Sequence, residues 1–216
     1  MVGYDGAGAI HAVRMRLTRL SASGAPLAGP NSMLVTSALT QASFTPQKAT
    51  GQEIEQRNAS DEVCVYYKAP DTLKSINFSL TLCTPDPQVS ELLAGGTVLT
   101  GDGGAPVGYA APQVGVDGNP NGVSIELWSR AIIDGAQASD LPWMQWVFPR
   151  ESLSQDQSDF ANAAQLPAFS GAGRTNPNWG AGPAGDWEYD SDRLWQWARV
   201  ANLPAITDGW VAVTGT

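Results

Sequence analysis

The sequence predicts an all-β domain with one short α-helix, and three features of this 216-residue chain support that class. Short runs of alternating apolar and polar residues recur along the chain, which is typical of strands that bury one face. Glycine (23 residues) and proline (15 residues) are frequent and mark many turns. Long helical periodicity is absent. We therefore expect a single domain over 1–216, a length that suffices for one well-buried core.

The N-terminal part predicts a flexible segment and two strands. Residues 1–11 are rich in glycine, so we expect them to be flexible or to be ordered only by a neighbour. Residues 13–18 (VRMRLT) alternate and predict the first strand. A turn cluster at 21–31 precedes the second strand, which we place at 32–44.

A long polar segment, 45–61, follows, and a third strand is predicted at 62–68 (EVCVYYK). Two strands joined by a polar segment of this length form a hairpin with a protruding arm, and long loops in compact domains are usually functional or disordered. The arm has few apolar groups to bury in its own domain. It is therefore either a mobile surface loop or an arm that becomes ordered against another subunit.

The clearest local pattern is a strand at 74–84 followed at once by a helix at about 86–94. Asp86 can cap this helix, Pro87 suits its first turn, and a Gly-Gly pair ends it. The strand alternates between two sets: Ile76, Phe78, Leu80 and Leu82 should pack toward the core and the helix, and Asn77, Ser79, Thr81 and Cys83 should form the other face. This other face is small and uncharged, so it suits water, a channel or a partner but offers no catalytic group.

The C-terminal half predicts three more strands between long loops. A loop rich in Gly, Pro and Asn at 100–122 precedes a strand at 123–133, and a strand at 141–150 follows. A second long loop covers 151–186, and the last strand lies at 194–200. Strand 123–133 also alternates: Val123, Ile125 and Leu127 face one way, and Glu126, Trp128 and Arg130 face the other.

The charge of the chain argues against a protein that grips nucleic acid. The formal net charge is −9, with +2 over residues 1–60 and −11 over 61–216. An acidic surface repels phosphates and would keep DNA from sticking to it. No apolar run approaches the roughly 20 residues of a membrane span. The N-terminus also lacks the apolar core of a secretory signal.

The tryptophans are concentrated in the C-terminal half. All eight follow residue 127: Trp128, Trp143, Trp146, Trp179, Trp187, Trp195, Trp197 and Trp210. Tryptophan supplies large burial in cores and is enriched at interfaces, which is the interpretation we favour. A sugar-stacking platform on a β-sandwich remains the alternative, because spacing does not separate the two.

Four carboxylates alternate along one short segment and form a weak candidate metal site: Asp186, Glu188, Asp190 and Asp192. In an extended strand they would share one face and repel each other, and a calcium ion would relieve that repulsion. The segment does not match an EF-hand loop, because Ser191 and Trp197 stand where glycine and glutamate are required. The alternative is a turn with solvated acids, partly paired with Arg193.

No other set of residues predicts a catalytic, metal or cofactor site. Cys64 and Cys83 lie on predicted strands and are expected to be buried reduced thiols, with a disulfide as the alternative. His11 is the only histidine and lies in the flexible segment, so a Ser-His-Asp site and a structural zinc site are both disfavoured. A glycosidase that uses two carboxylates stays open, but no pair stands out. We expect no catalytic residues, no cofactor and no enzyme.

Several longer motifs resemble the major tail (tail tube) proteins of long-tailed phages, particularly those that infect actinobacteria. The resemblance lies in EIEQRNASDEVCVYYKAPDTLK (53–74), CTPDPQVSELLAGG (83–96), NPNGVSIELWSRAI (119–132), WVFPR (146–150) and NPNWGAGPAGDWEYDSDR (176–193). The motifs together span most of the chain, from residue 53 to residue 193, and the first and last dozen residues lie outside the resemblance.

The resemblance implies a structural virion protein rather than an enzyme. Its fold would be a tail-tube-type β-sandwich or barrel with a flanking helix, and it would form hexameric rings that stack helically into a tube. Its partners would be further copies of itself and other tail proteins, such as tape measure, tail terminator and distal tail proteins. Phage DNA would pass through the lumen without specific binding, and no membrane would be involved. The protein would be assembled in the host cytoplasm and would reside in the phage tail.

The resemblance also suggests roles for particular segments. The lumen wall would come from strands 32–44, 62–68, 74–84 and 123–133, with Asn77, Ser79 and Thr81 as lumen-facing candidates. The arm 45–61 would reach the adjacent ring, with Lys48, Gln52, Glu53, Glu55 and Arg57 as contact candidates. The alternative function is a monomeric, Trp-rich carbohydrate-binding β-sandwich, and a hydrolase ranks last.

Overall fold

A computed structural model describes residues 6–158, 162, 164–185 and 187–213, and it confirms the all-β class with one short helix. The single helix of these residues is α1, Pro87–Ala94. The strands are β1 Gly8–Arg19, β2 Gly29–Thr36, β3 Leu39–Ala49, β4 Glu53–Arg57, β5 Val63–Lys68, β6 Thr72–Leu82, β7 Thr97–Thr100, β8 Pro106–Ala110, β9 Val123–Ile133, β10 Ala136–Gln137, β11 Trp143–Gln155, β12 Ala168–Gly173, β13 Gln196–Val200 and β14 Val211–Val213.

Ten of the strands form one antiparallel sheet that bends back on itself as a sandwich. Its order is β14-β2-β1-β9-β11-β12-β6-β3, with β10 added to β9 and β13 added to β11. Strand β11 belongs to both halves, because residues 143–148 pair with β9 and residues 151–155 pair with β12. We call β11(151–155)-β12-β6-β3 the front half-sheet. The sheet does not close into a barrel within the described residues, since β14 and β3 are each paired on one side only.

The core lies between the two halves. The alternation predicted for β6 is confirmed, since Ile76, Phe78, Leu80 and Leu82 are all almost completely buried. From the front half-sheet, Phe78 packs edge-on against Phe148 of β11 with ring centroids 4.8 Å apart. Each such side chain contributes about 1.5–3 kcal/mol through burial, so this face of β6 holds the two halves together.

The helix forms where the sequence predicts it. The Asp86 carboxylate accepts hydrogen bonds from the backbone N–H groups of Gln88 (2.8 Å) and Val89 (3.2 Å), and Pro87 opens the first turn. Gly95 ends the helix at a φ of 76°, a conformation that side-chain-bearing residues rarely adopt. The buried face of α1 packs against β11 and β1. No helix in the described part of the chain is long and apolar enough to cross a membrane.

Two predictions for the N-terminal region are wrong. Residues 1–11 were expected to be flexible or to be ordered only by a neighbour, but Gly8, Ala9 and Ile10 pair with β9 of the same chain and begin β1. Residues 32–44 were expected to form one strand, but the chain leaves β2 at Thr36 and enters β3 at Leu39. The Thr36 hydroxyl accepts a hydrogen bond from the N–H of Ala38 (3.0 Å), and this local bond turns the chain between the two strands.

Both long loops predicted in the C-terminal half contain strands. Loop 100–122 includes β8, which pairs with β7. Loop 151–186 begins inside β11 and includes β12, whose sequence AFSGAG has the composition of a loop. Its glycines are needed because a Cβ at Gly171 would collide with the Ser152 carbonyl, and one at Gly173 with the Glu151 carboxyl group. Close packing of strands, rather than a turn, explains these two glycines.

The cap of α1 provides a test of the fold. We expect Asp86→Ala to lower the free energy of unfolding by about 1 kcal/mol, because two N–H groups at the helix start lose their acceptor. Asp86→Ser, which keeps an acceptor at this position, should retain most of that stability. Urea unfolding monitored by circular dichroism measures both, and equal losses for the two variants would contradict a capping role.

Candidate functional site

Small uncharged side chains line the outer surface of the front half-sheet. The pairing of the four strands aligns them in two rows that run across the sheet. The first row is Ser154, Ser170, Ser79 and Ser43, and the second is Ser152, Ala172, Asn77 and Thr45. We call these eight residues the serine face. Since cross-strand partners point to the same side of a sheet, the face is a continuous strip four strands wide.

The hydroxyl groups of the serine face bond to one another and to a neighbouring carboxylate. The Oγ atoms of Ser43 and Ser79 lie 2.7 Å apart, and Ser170 Oγ donates to Asp156 Oδ1 at 2.5 Å. Neither row contains a lysine or an arginine. In the described part of the chain no histidine is bonded to these serines, and the carboxylate bonded to them is that of Asp156.

The lumen-facing candidates are placed on this surface or next to it. Asn77 and Ser79 are exposed members of the face, and Thr81 is half-buried in the next row, paired with Ala168. The apolar residues between them point into the core, as the alternation predicted. That Asn77, Ser79 and Thr81 face a lumen stays a prediction.

Two of the four strands predicted for the wall are not part of this surface. Residues 62–68 form β5, which pairs with β4 in a separate two-stranded sheet. Residues 123–133 form β9, and its residues 123–129 are buried on both faces because the rest of the chain covers the side that carries Glu126 and Trp128. Strand β12 and the second half of β11 take their places. The alternating serines in SLSQ (152–155) indicate the second half of β11 in the sequence, although they lie inside a segment that was predicted to be a loop.

The front half-sheet has two unpaired edges. Strand β3 pairs with β6 only, and residues 152–155 of β11 pair with β12 only, within the described residues. Unpaired N–H and C=O groups along a strand edge are a template for another strand. The four strands alternate in direction, so β3 and β11 run antiparallel to each other. A copy of this half-sheet can therefore continue the antiparallel order of the first.

The arm is a regular hairpin rather than an irregular loop at 45–61. Strand β3 continues to Ala49, and β4 and β5 then form a two-stranded sheet in which every residue from 52 to 68 is exposed. We call residues 52–68 the hairpin arm. Of the five contact candidates, Lys48 lies on β3, Gln52 lies at the base of the arm, and Glu53, Glu55 and Arg57 lie on β4; all five are exposed. Contact of these residues with another ring stays a prediction.

The predicted acidic run is a turn in the structure. Asp186 lies outside the described residues. Asp190 accepts hydrogen bonds from the N–H of Asp192 (3.3 Å) and from Arg193 Nε (3.0 Å), and these bonds lower the pKa of its carboxyl group. Residues 187–192 belong to no strand, so the predicted extended arrangement of the acids is not present among the described residues. The described residues contain no group of three or more His, Cys, Asp or Glu side chains that could hold a metal ion.

Both cysteines are exposed, contrary to the prediction. Cys64 and Cys83 are both exposed free thiols, so the prediction of buried cysteines is wrong: Cys64 lies on the arm, and Cys83 follows β6 beyond the core. All eight tryptophans lie within the described residues. Trp128 and Trp179 are buried, and only Trp197, at 42% exposure, counts as exposed. Most tryptophans therefore pack in or against the core, which agrees with one part of the favoured interpretation, and a role at an interface stays a prediction.

A buried ion pair, which the sequence did not predict, supports the sheet behind the core. Arg16 of β1 donates from two nitrogens to the Glu126 carboxylate of β9, at 2.5 and 2.6 Å. Gln145 of β11 donates to the same carboxylate (2.8 Å) and accepts from the indole N–H of Trp187 (3.1 Å). The set joins three adjacent strands and one loop. Removing one member of such a buried pair costs about 3–5 kcal/mol.

No protein-family model matches the chain, and no curated protein matches its sequence significantly.

A second buried carboxyl group has no hydrogen-bond partner among the described residues. Glu151 lies at the bend of β11, and both its carboxyl group and the Ile76 side chain approach Gly173, but no described group bonds to either of its carboxyl oxygens. Burial raises the pKa of this carboxyl group well above its usual value of 4.5. The folded protein therefore retains this proton at a pH where the unfolded chain has released it.

The Glu151 proton makes stability depend on pH. Above pH 4.5 the unfolded chain binds fewer protons than the folded one, so the free energy of unfolding falls as pH rises toward the raised pKa of Glu151. The slope from one group is at most about 1.4 kcal/mol per pH unit. Glu151→Gln should abolish this component, whereas the control Glu188→Gln, at an exposed acid nearby, should keep the wild-type slope. Urea unfolding at several pH values between 5 and 8 measures it, and identical slopes for Glu151→Gln and wild type would contradict the expectation.

Proposed function

We propose that this chain is the tail tube protein of a long-tailed phage, a structural protein that assembles with itself into stacked rings around a channel for DNA. The observation that carries the proposal is the serine face together with the two unpaired edges of the same half-sheet. This combination offers a surface that can line a channel and a means to extend that surface from one copy to the next. The family resemblance of the sequence supports the same function.

Ring formation follows from the edges. In the proposed ring, β3 of one copy pairs with residues 152–155 of the next, so the contact joins two different surfaces and is head-to-tail. Head-to-tail contacts close into rings when the rotation between copies allows it. Closure removes every open edge of the front half-sheets and leaves one continuous inner barrel. In this proposal the ring is a hexamer.

A neutral wall suits the passage of DNA. Lysine and arginine on a wall would bind phosphates and release counterions, which would hold the DNA in place. The serine face has none, and part of its hydroxyl donors are already used within the protein, between Ser43 and Ser79 and from Ser170 to Asp156. The acidic balance of the whole chain, −9, adds a weak repulsion that keeps DNA from adhering.

A carbohydrate-binding module is the weaker candidate. A sugar-stacking platform needs exposed aromatic faces, and seven of the eight tryptophans are buried or half-buried. Trp197 alone supplies such a surface among them. Among the tryptophans, a sugar would therefore find a single exposed indole, whereas the serine face spans four strands.

The placement of the serine face in a lumen can be tested by labelling. In a background of Cys64→Ser and Cys83→Ser, we expect Ser79→Cys to react with a maleimide carried on a large polyethylene glycol in free subunits but not in assembled tubes. The control Val114→Cys, on a fully exposed loop, should react in both. Electron microscopy of the concentrated wild-type protein establishes the assembly. Dispersed single particles, or equal labelling of Ser79→Cys before and after assembly, would contradict the proposal.

The role of the hairpin arm in stacking can be tested by its removal. Residues 50–71 can be replaced by Asn-Gly, because Ala49 and Thr72 already pair and a two-residue turn suits such ends. A shorter deletion, of residues 48–57 alone, would remove β4 and leave β5 without its hairpin partner, so the whole arm is replaced. We expect the variant to unfold at a temperature close to that of the wild type but to form no long tubes in electron micrographs. Long tubes from a folded variant would show that the arm is not the stacking element.

A further inference from the structure

Trp197 is the single exposed tryptophan, and the core supports its side chain from behind. It lies on β13, which has a partner strand on one side only among the described residues. Its ring packs against Trp146 of β11, with ring centroids 5.9 Å apart and 35° between the ring planes. Trp146 packs in turn against Phe44 (6.1 Å) and the main core. A ring held by such packing loses little conformational freedom when a ligand covers its exposed surface.

The exposed indole lines a groove of about 570 Å³, which we call the Trp197 groove. A volume of this size is typical of sites for small molecules. Two separate stretches of the chain form the groove, namely Leu73 and Lys74 at the start of β6 and residues 192–197 before and within β13, and Thr175 also lines it. A ligand in the groove therefore contacts an indole and an aliphatic side chain together with polar groups from both stretches.

The polar groups of the Trp197 groove include both donors and acceptors. No described group bonds to the Lys74 ammonium or to the Asp192 carboxylate. Gln196 accepts the N–H of Asp190 through its Oε1 atom (2.9 Å), so its amide NH₂ group remains a donor. Arg193 donates to the Asp190 carboxylate (3.0 Å). Lys74 and Asp192 then balance each other, so the groove is close to neutral.

We propose that the Trp197 groove binds one pyranose ring of a neutral carbohydrate. The ring hydrogens of an equatorially substituted pyranose form an apolar face that covers the Trp197 indole. The hydroxyl groups around the ring each donate and accept hydrogen bonds, so they donate to Asp192 and accept from Lys74 and Gln196. This site is additional to the proposed self-assembly and does not depend on it.

The groove favours a carbohydrate over other ligands that cover an indole. A wholly apolar ligand would bury the polar groups of the groove without giving them partners, which costs free energy. A nucleic acid would bring its phosphates next to Asp192, on a chain with a net charge of −9. A single indole does not support a long glycan along its length, but it is sufficient for one sugar ring.

Saturation-transfer difference NMR tests the site, because it detects the protons of a bound sugar even on a large assembly. The probes are cellotetraose, maltotetraose and the trimer of N-acetylglucosamine, whose pyranose rings all present such an apolar face. We expect at least one of them to give a signal with the wild type, strongest from the ring C–H protons, and a dissociation constant of about 1 mM or tighter. No signal from any of the probes would overturn the proposal.

Substitutions locate the bound sugar on the protein. We expect Trp197→Ala to weaken binding of the active probe at least about tenfold, and Trp197→Phe, which keeps a ring, to weaken it less. Asp192→Ala, at an exposed position outside the core, should weaken it about threefold to tenfold through the loss of one acceptor.

The matched control is Tyr66→Ala, which removes an exposed aromatic ring of the hairpin arm. It should change binding by no more than about twofold. Circular dichroism confirms that each variant has folded. Unchanged binding by both Trp197→Ala and Asp192→Ala, or an equal loss with Tyr66→Ala, would overturn the assignment to this groove.

An oligothymidine strand distinguishes the competing ligand class, since bases also stack on indoles. Binding of this strand that Trp197→Ala abolishes, without a signal from any sugar, would overturn the carbohydrate assignment. The outcomes also separate this inference from the tube proposal. Tubes without sugar binding would contradict the groove site and leave the tube in place, whereas sugar binding by dispersed particles would support the site and contradict the tube.

Discussion

The bend of β11 is the constraint on which the rest of the structure depends. Between Phe148 and Glu151 the strand shifts register against β9, and beyond this point it pairs with β12 instead. A single strand thereby serves both halves of the sandwich, and Phe148 is brought against Phe78 across the core. Without the bend, the four strands of the serine face would have no second layer behind them, and their apolar residues would face water.

The protein buries two carboxyl groups near this bend in different ways. Glu126 is paired with Arg16 and Gln145, which satisfy its carboxylate. Glu151 has no such partners among the described residues, and burial raises the pKa of its carboxyl group because an unpaired charge is costly to bury. The first arrangement ties adjacent strands together, whereas the second lowers the free energy of unfolding as pH rises above 4.5.

Local patterns were sufficient for much of the fold but not for all of it. Alternation in β6 and β9 and the cap at Asp86 placed those elements within one or two residues, since burial of one face and a satisfied helix start leave direct marks in the sequence. Strand β12 was missed because Gly171 and Gly173, which suggested a loop, are required by close packing against β11. The exposure of Cys64 was missed because β5 has no core beneath either face, and that of Cys83 because β6 ends one residue earlier, at Leu82.

For the candidate site, the sequence by itself determined that β6 carries a small, uncharged face and that a polar arm precedes it. Only the tertiary structure decided that Ser43, Ser79, Ser154 and Ser170 share one row, because strands far apart in the sequence become neighbours through their register. It also decided which strand edges stay unpaired. These properties depend on pairings between distant segments, and such pairings leave no mark in the order of residues along any one strand.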